Sequence, residues 1–450
     1  MDAEVRRQFA GARVPRYTSY PTAPHFSDAI GEAAYRQWLA AVDPAAPLSL
    51  YLHVPFCRSL CRYCGCFTKI TGRSEPIAHY LAALGAEIDL VADALPGRMH
   101  LTHVHWGGGT PTIIGADLFG HMMEVLRRRF AIEPGAEHAI EIDPRRLDAE
   151  TVRALAAAGV NRASLGVQTF DETVQSAVGR RQSFEETRAA AEALRASGIE
   201  HLNIDLIYGL PHQTEPACRE TIVRVLELAP DRVAAFGYAH VPAMKPHQAT
   251  IDEAALPGAA EREAQADIIA TMLVEAGYVA IGLDHFARPG DALARRFAER
   301  RLRRNFQGYT ADEADTLIGL GASAIGSLPQ AYVQNAAVLP LYEDAVLAGR
   351  LPVARGVALS AEDRAQRDII GDLMCYLRAD LGAIAARHRL DPGHLAEARA
   401  HLSAALAHGL AHFEGDCLIV PEAHRALVRA VAAAFDTYLG NGAGRHSVAV

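Results

Sequence analysis

The 450-residue chain is 50% apolar and 22% charged, with a formal net charge of −9. That balance suits a soluble globular protein of two or three domains and argues against nucleic acid as the main partner, since no basic block or tail occurs. No uncharged apolar run of about 18 residues is present, which argues against a membrane span. The opening MDAEVRRQFAGARVPRYTSYP lacks the apolar core of a secretion signal, so the expected compartment is the cytoplasm.

Residues 1–47 contain two short helical patterns and are expected to form an amino-terminal segment that helps close the substrate site. From residue 48 apolar runs alternate with helical patterns. The expected strands are 48–54, 102–106, 138–143, 162–167, 201–208 and 233–239. Between them, apolar residues recur at i, i+3 and i+4 over 77–94, 116–130, 148–158, 184–197 and 215–228. Such alternation indicates a parallel sheet, and six units indicate an open, TIM-like partial (β/α)6 barrel with its chemistry at the carboxyl ends of the strands. Gly107–Thr110, Glu141, Gln168, Asp205 and Tyr238–His240 each end an expected strand.

Beyond the barrel come a helix at 260–276, the segment YVAIGLDHFARP and a Gly-rich, turn-like stretch, IGLGASAIGS. The expected units are thus 1–47, a barrel with its extension at 48–340, and a mostly α-helical unit at 341–450. In the last unit three amphipathic helices after Ser360 precede a hairpin with a Gly-Asp turn, a final helix to Leu439 and a frayed Gly-rich tail. Helices with a hairpin resemble a winged helix. Without a basic face, the reading is a lid.

Four cysteines fall within ten residues: Cys57, Cys61, Cys64 and Cys66. The first three form C-x3-C-x2-C, which lets one loop offer three thiolates to a four-iron cube and leaves one iron open. A zinc site would need a second knuckle, and Cys218, Cys375 and Cys417 are solitary. A sparse, odd set of seven cysteines does not suit a disulfide framework.

The stretches PRYTSYPTA, LYLHVPFC, CRYCGC, HWGGGTPT, NIDLIYGLP, FGYAHVP, LDHFARP, RNFQGYT and FDTYL span residues 15 to 439. They resemble those of the oxygen-independent coproporphyrinogen III oxidases, radical S-adenosylmethionine (SAM) enzymes of haem biosynthesis. The resemblance implies a radical SAM barrel and a [4Fe–4S] cluster on Cys57, Cys61 and Cys64, with SAM chelated at the open iron, two SAM molecules per site and Cys66 serving turnover. It implies SAM contacts at Gln168, Arg180, Ala239 and Ile325, with Phe306 and Gln307 beside a second SAM. A 5′-deoxyadenosyl radical would then take a β-hydrogen from a propionate of coproporphyrinogen III. A flavodoxin or ferredoxin would supply the electron, and the enzyme would act as a monomer.

Read directly, Tyr51 and His53 should lie beside the cube, and Tyr63 could cover the adenine. Gly108, Gly109 and Thr110 fit the amino-acid moiety of SAM, because glycines let a backbone approach a ligand closely. Glu141 and Asp205 suit ribose hydroxyls or the SAM ammonium, and Asp205 would otherwise bridge to an arginine. Arg16 and Arg288 are candidates for the substrate propionates. The alternative function is a haem chaperone, against which Cys66 and Arg16–Tyr20 weigh.

Overall fold

In the computed structural model, residues 3–391 and 396–439 are described, and a twelve-stranded sheet organises most of them. Its strands are β1 (Leu48–Val54), β2 (His100–Gly108), β3 (Ala131–Ile142), β4 (Arg162–Gln168), β5 (His201–Tyr208), β6 (Arg232–Gly237), β7 (Val279–Ile281), β8 (His285–Ala287), β9 (Thr316–Leu320), β10 (Ile325–Leu328), β11 (Ala331–Asn335) and β12 (Val353–Ala358). In space they run β12-β11-β10-β9-β1-β2-β3-β4-β5-β6-β8-β7. Strands β1 to β6 pair in parallel in chain order.

The alternation of side chains explains the layering. In β1, Leu48, Leu50, Leu52 and Val54 are fully buried in the main core, while Tyr51 and His53 point the other way, toward the barrel interior. The helices Glu75–Ala94, Gly115–Arg129, Ala149–Ala157, Phe184–Ala196 and Glu215–Glu227 return the chain after each strand. Asp148, Ser183 and Thr214 cap three of them by accepting main-chain N–H groups of their first turns. The carboxyl ends of β1 to β6 consequently gather at one rim.

The stretch IGLGASAIGS is not merely a turn. It forms β9 and β10, and β9 pairs with β1 in parallel, Leu48 opposite Thr316. Its glycines permit strand packing: a Cβ on Gly319 would fall 2.6 Å from the Ile325 main chain, and Gly321 turns with φ +97°. Residues 353–358, expected in the helical unit, are the edge strand β12.

A second core holds the carboxyl-terminal helices. There Ile369, Leu373, Leu418, Val428 and Phe435 surround Tyr17 and Tyr20 of the amino-terminal segment. Tyr17 donates to Asp436 at 3.0 Å and Tyr20 to Gln366 at 2.6 Å, so PRYTSYP is stitched to this unit. The hairpin (His412–Glu414 and Cys417–Ile419) is joined by a third strand, Arg378–Asp380, that sequence pattern does not reveal. The tail after Leu439 lies outside the described residues. Among those described, no helix is long and apolar enough to cross a membrane.

Candidate functional site

A cavity of about 820 Å³ opens at the carboxyl rim, and Cys57, Cys61, Cys64 and Cys66 all line it. The loop after β1 begins as a two-stranded ribbon in which Phe56 pairs with Lys69 and Cys57 with Ile70. It then turns through Cys64 N–H to Cys61 O (3.1 Å) and docks through Arg62 N–H to Val178 O (2.9 Å). On its other side, Lys245 donates to Cys66 O (3.1 Å), His247 to Cys64 O (2.7 Å) and Gln248 to Tyr63 O (2.9 Å).

The electrostatics suit thiolates. The Arg180 guanidinium is 7% exposed and stands 3.6 Å from Cys61 Sγ. Its other contacts are Gly166 O at 2.6 Å and Asp143 at 3.4 Å, and its Nε has no partner among the described residues. Burial pushes the Cys57 thiol up to about 11, whereas a hydrogen bond from Cys66 brings Cys64 down to about 6. Among the described residues, no three His, Cys, Asp or Glu side chains converge on a single-ion site. A four-iron cube, with its irons at separate corners, takes spaced thiols of this kind. The three sulfurs on one loop, a buried cation beside them and a carboxylate-free stretch from 55 to 74 fit such a cluster.

The glycine run is tightly packed on the side where a Cβ would stand. A Cβ on Gly107 would lie 2.7 Å from Glu141 Oε1, one on Gly108 2.7 Å from the His53 ring, and one on Gly109 2.5 Å from Phe56 O. The space beside each glycine is therefore already filled by the protein. Gly108, Gly109 and Thr110 still border the cavity. Behind them Tyr51 donates to His53 Nδ1 (3.0 Å), and His53 Nε2 donates to Phe67 O (3.2 Å), which sets the tautomer. Neither Tyr51 nor His53 lines the cavity.

Glu141 accepts from Gly108 N–H (3.1 Å) and faces His105 Nε2 (3.3 Å). Burial pushes its carboxyl up, but these partners outweigh burial and hold it below the usual range. Among the described residues Asp205 has only Ser164 Oγ as a hydrogen-bond partner, at 2.9 Å, and no arginine bridges to it; burial raises its carboxyl to about 6. Gln168 ends β4 with φ +70° beside a register shift, which turns it toward the cavity with Tyr63, Ala239 and Gln307. Arg16 lines the mouth and donates to Gly237 O at 3.0 Å.

Arg288, Ile325 and Phe306, all expected contacts, do not line the cavity. Arg288 is exposed and outside the cavity because β8 is antiparallel to β6, so its carboxyl end points away from the rim. Ile325 packs with Phe26, Phe306 and Tyr332 rather than lining the cavity.

The floor holds residues that motif reading missed. Arg232 bridges Glu137 (3.2 Å) and Asp291 (2.7 Å), and Arg162 bridges the same pair at 3.0 Å each. This buried double pair is electrically balanced, so it closes the barrel without a net charge. Its only sequence signal is arginine opening an otherwise apolar strand.

The radical SAM superfamily pattern matches residues 51–225. An oxygen-independent coproporphyrinogen III oxidase of Bradyrhizobium diazoefficiens is 51% identical over 450 residues, covering 100% of both chains. One from Escherichia coli is 40% identical over 426 residues, 94% of this chain and 93% of its own. The solved coproporphyrinogen III oxidase of Escherichia coli, described as a radical SAM enzyme, superposes with a TM-score of 0.89 at 39% identity, covering 94% of this chain and 97% of that one.

Proposed function

The chain belongs to the oxygen-independent coproporphyrinogen III oxidases of the radical SAM superfamily, and we propose how its own residues carry that activity. The enzyme converts two propionate side chains of coproporphyrinogen III into the vinyl groups of protoporphyrinogen IX, releasing carbon dioxide without using oxygen. The observation that carries the reading is the opening of Cys57, Cys61, Cys64 and Cys66 onto one cavity with Glu141, Asp205 and Arg180.

Cys57, Cys61 and Cys64 would hold the [4Fe–4S] cluster, with SAM bound beside it. When bound, the reduced cluster and SAM supply the one-electron chemistry that removes a hydrogen atom from the substrate. Arg180 offsets thiolate charge beside Cys61. Glu141, kept ionised by His105 and the Gly108 N–H, accepts hydrogen bonds from the SAM of the first site. Gln168, Arg180, Asp205, Ala239 and Gln307 form a second SAM place toward β4–β6. Cys66 keeps a proton next to Cys64 and serves turnover rather than cluster ligation. Arg16 at the mouth takes a propionate by a charge-assisted bond.

The reducing conditions this chemistry needs support a cytoplasmic location, and a flavodoxin or ferredoxin supplies the electron. The test is anaerobic incubation of the reconstituted protein with SAM, a reductant and coproporphyrinogen III. Vinyl product with carbon dioxide release is expected. Tight haem binding without decarboxylation would instead support the chaperone alternative.

A further inference from the structure

The cysteine-bearing loop has a second face. From 55 to 74 the chain reads PFCRSLCRYCGCFTKITGRS, with Arg58, Arg62, Lys69 and Arg73 and no carboxylate, in a chain of net charge −9. All four cations are exposed, as is Ile70 (46%). Arg58 and Arg62 donate to main-chain carbonyls, Thr71 O at 3.3 Å and Ala177 O at 3.1 Å, and among the described residues no carboxylate pairs with either guanidinium. Of the four, Arg73 meets a carboxylate, Glu75, at 3.3 Å.

Arg58, Arg62, Lys69, Ile70 and Arg73 do not line the cavity. They share a backbone with residues that do: Cys57, which faces the cavity, is the register partner of Ile70. A partner seated on this face would approach the cluster thiols and leave the mouth free for the tetrapyrrole. Resting on the functional reading above, the cluster must gain an electron from outside in each turnover. We propose that this outer face is the docking surface for a small acidic one-electron carrier protein.

The chemistry of recognition is charge complementarity around a small apolar centre. Arginine and lysine attract a negatively charged partner and orient it, and Ile70 supplies the desolvated contact. Attraction of this kind raises the association rate and weakens as salt screens it. The electron passes from the reduced carrier to the cluster, and the carrier leaves oxidised by one electron.

The test uses the cluster-loaded, SAM-bound protein and the charge-reversed variant Arg58→Glu/Lys69→Glu. The probe is a reduced flavodoxin of net negative charge, and bleaching of the cluster absorption reports reduction. At low salt the variant should be reduced at least about tenfold more slowly than the wild type, and high salt should slow only the wild type substantially. Dithionite-driven turnover should be the same in both proteins within about twofold, because a small reductant needs no docking surface. Equal flavodoxin rates in the two proteins overturn the docking surface, as does a wild type that flavodoxin cannot reduce. Wild-type binding to anionic vesicles, lost in the variant while flavodoxin reduction is unchanged, also overturns it and assigns the face to a membrane. Absence of dithionite-driven turnover in the wild type is a separate failure, that of the functional reading.

Discussion

His247 donates its Nε2 hydrogen to the carbonyl oxygen of Cys64, 2.7 Å away and 183 positions earlier in the chain. The direction is unambiguous, because a carbonyl can only accept. Gln248 and Lys245 make the same kind of bond to Tyr63 and Cys66. The stretch after β6 thus holds three carbonyls of the cysteine loop in place before any metal arrives.

Loosening that hold should expose the thiols. Each lost bond has a net worth of about 0.5–1.5 kcal/mol, so His247→Ala/Gln248→Ala should raise the alkylation rate of Cys64 and Cys66 in metal-free protein by about tenfold. Mass spectrometry after timed iodoacetamide treatment measures it. The melting temperature of the barrel should move little. Unchanged alkylation would mean that the loop is rigid without its clamp.

Asp205 and Glu141 should both matter to SAM, and differently with pH. Asp205→Asn or Glu141→Gln should each weaken SAM binding by about 1.5–3 kcal/mol, the worth of a charged hydrogen bond. Burial raises Asp205 to about 6, so wild-type affinity should fall as pH drops through about 6, where the carboxyl takes up a proton. In Asp205→Asn that dependence should flatten. Titration calorimetry on cluster-loaded protein at several pH values decides it, and unchanged affinity in both variants would remove these carboxylates from the SAM site.

Glu87 offers a test of the scaffold behind the cysteine loop. It is 1% exposed and accepts from Asn335 (2.6 Å), Gly321 N–H (2.7 Å) and Tyr342 (2.7 Å). The adjoining Ala322 N–H donates to Tyr80, whose hydroxyl donates to His53 O at 2.5 Å. Burial raises Glu87 from 4.5 to about 7. Between those values the folded protein holds more protons than the unfolded chain. The stability contribution is therefore complete below about 4.5 and lost as pH rises to about 7. Glu87→Gln is neutral throughout and should lack this slope, so urea unfolding at pH 5 and pH 8 should show wild type losing up to about 3 kcal/mol relative to the variant. Parallel slopes would contradict a buried, protonated Glu87.

The six barrel strands are legible in sequence because apolar runs and helical periods alternate there without interruption. The cysteine spacing and strand-end positions likewise point to the rim where the cavity lies. What is hidden depends on strand direction and on distant partners. HFARP reads as a functional motif, but the reversal of β8 carries Arg288 away from the rim. The glycines of IGLGASAIGS read as a turn, whereas Gly319 is a place where a neighbouring strand comes too close for a Cβ. The clamp on Cys64 joins segments far apart in sequence, with no local pattern to announce it. GGG was legible as a special position, but its tight neighbours His53, Glu141 and Phe56 come from other segments that no local pattern names.

A side-by-side anaerobic comparison of wild type, Cys61→Ala and Cys66→Ala separates the roles of the cysteines. Iron and sulfide content, SAM affinity and vinyl product are measured on the same reconstituted samples. Cys61→Ala should lose the cluster, and Cys66→Ala should keep cluster and SAM binding yet form no vinyl product. Loss of the cluster from Cys66→Ala as complete as from Cys61→Ala, or a vinyl yield equal to wild type, would contradict those roles.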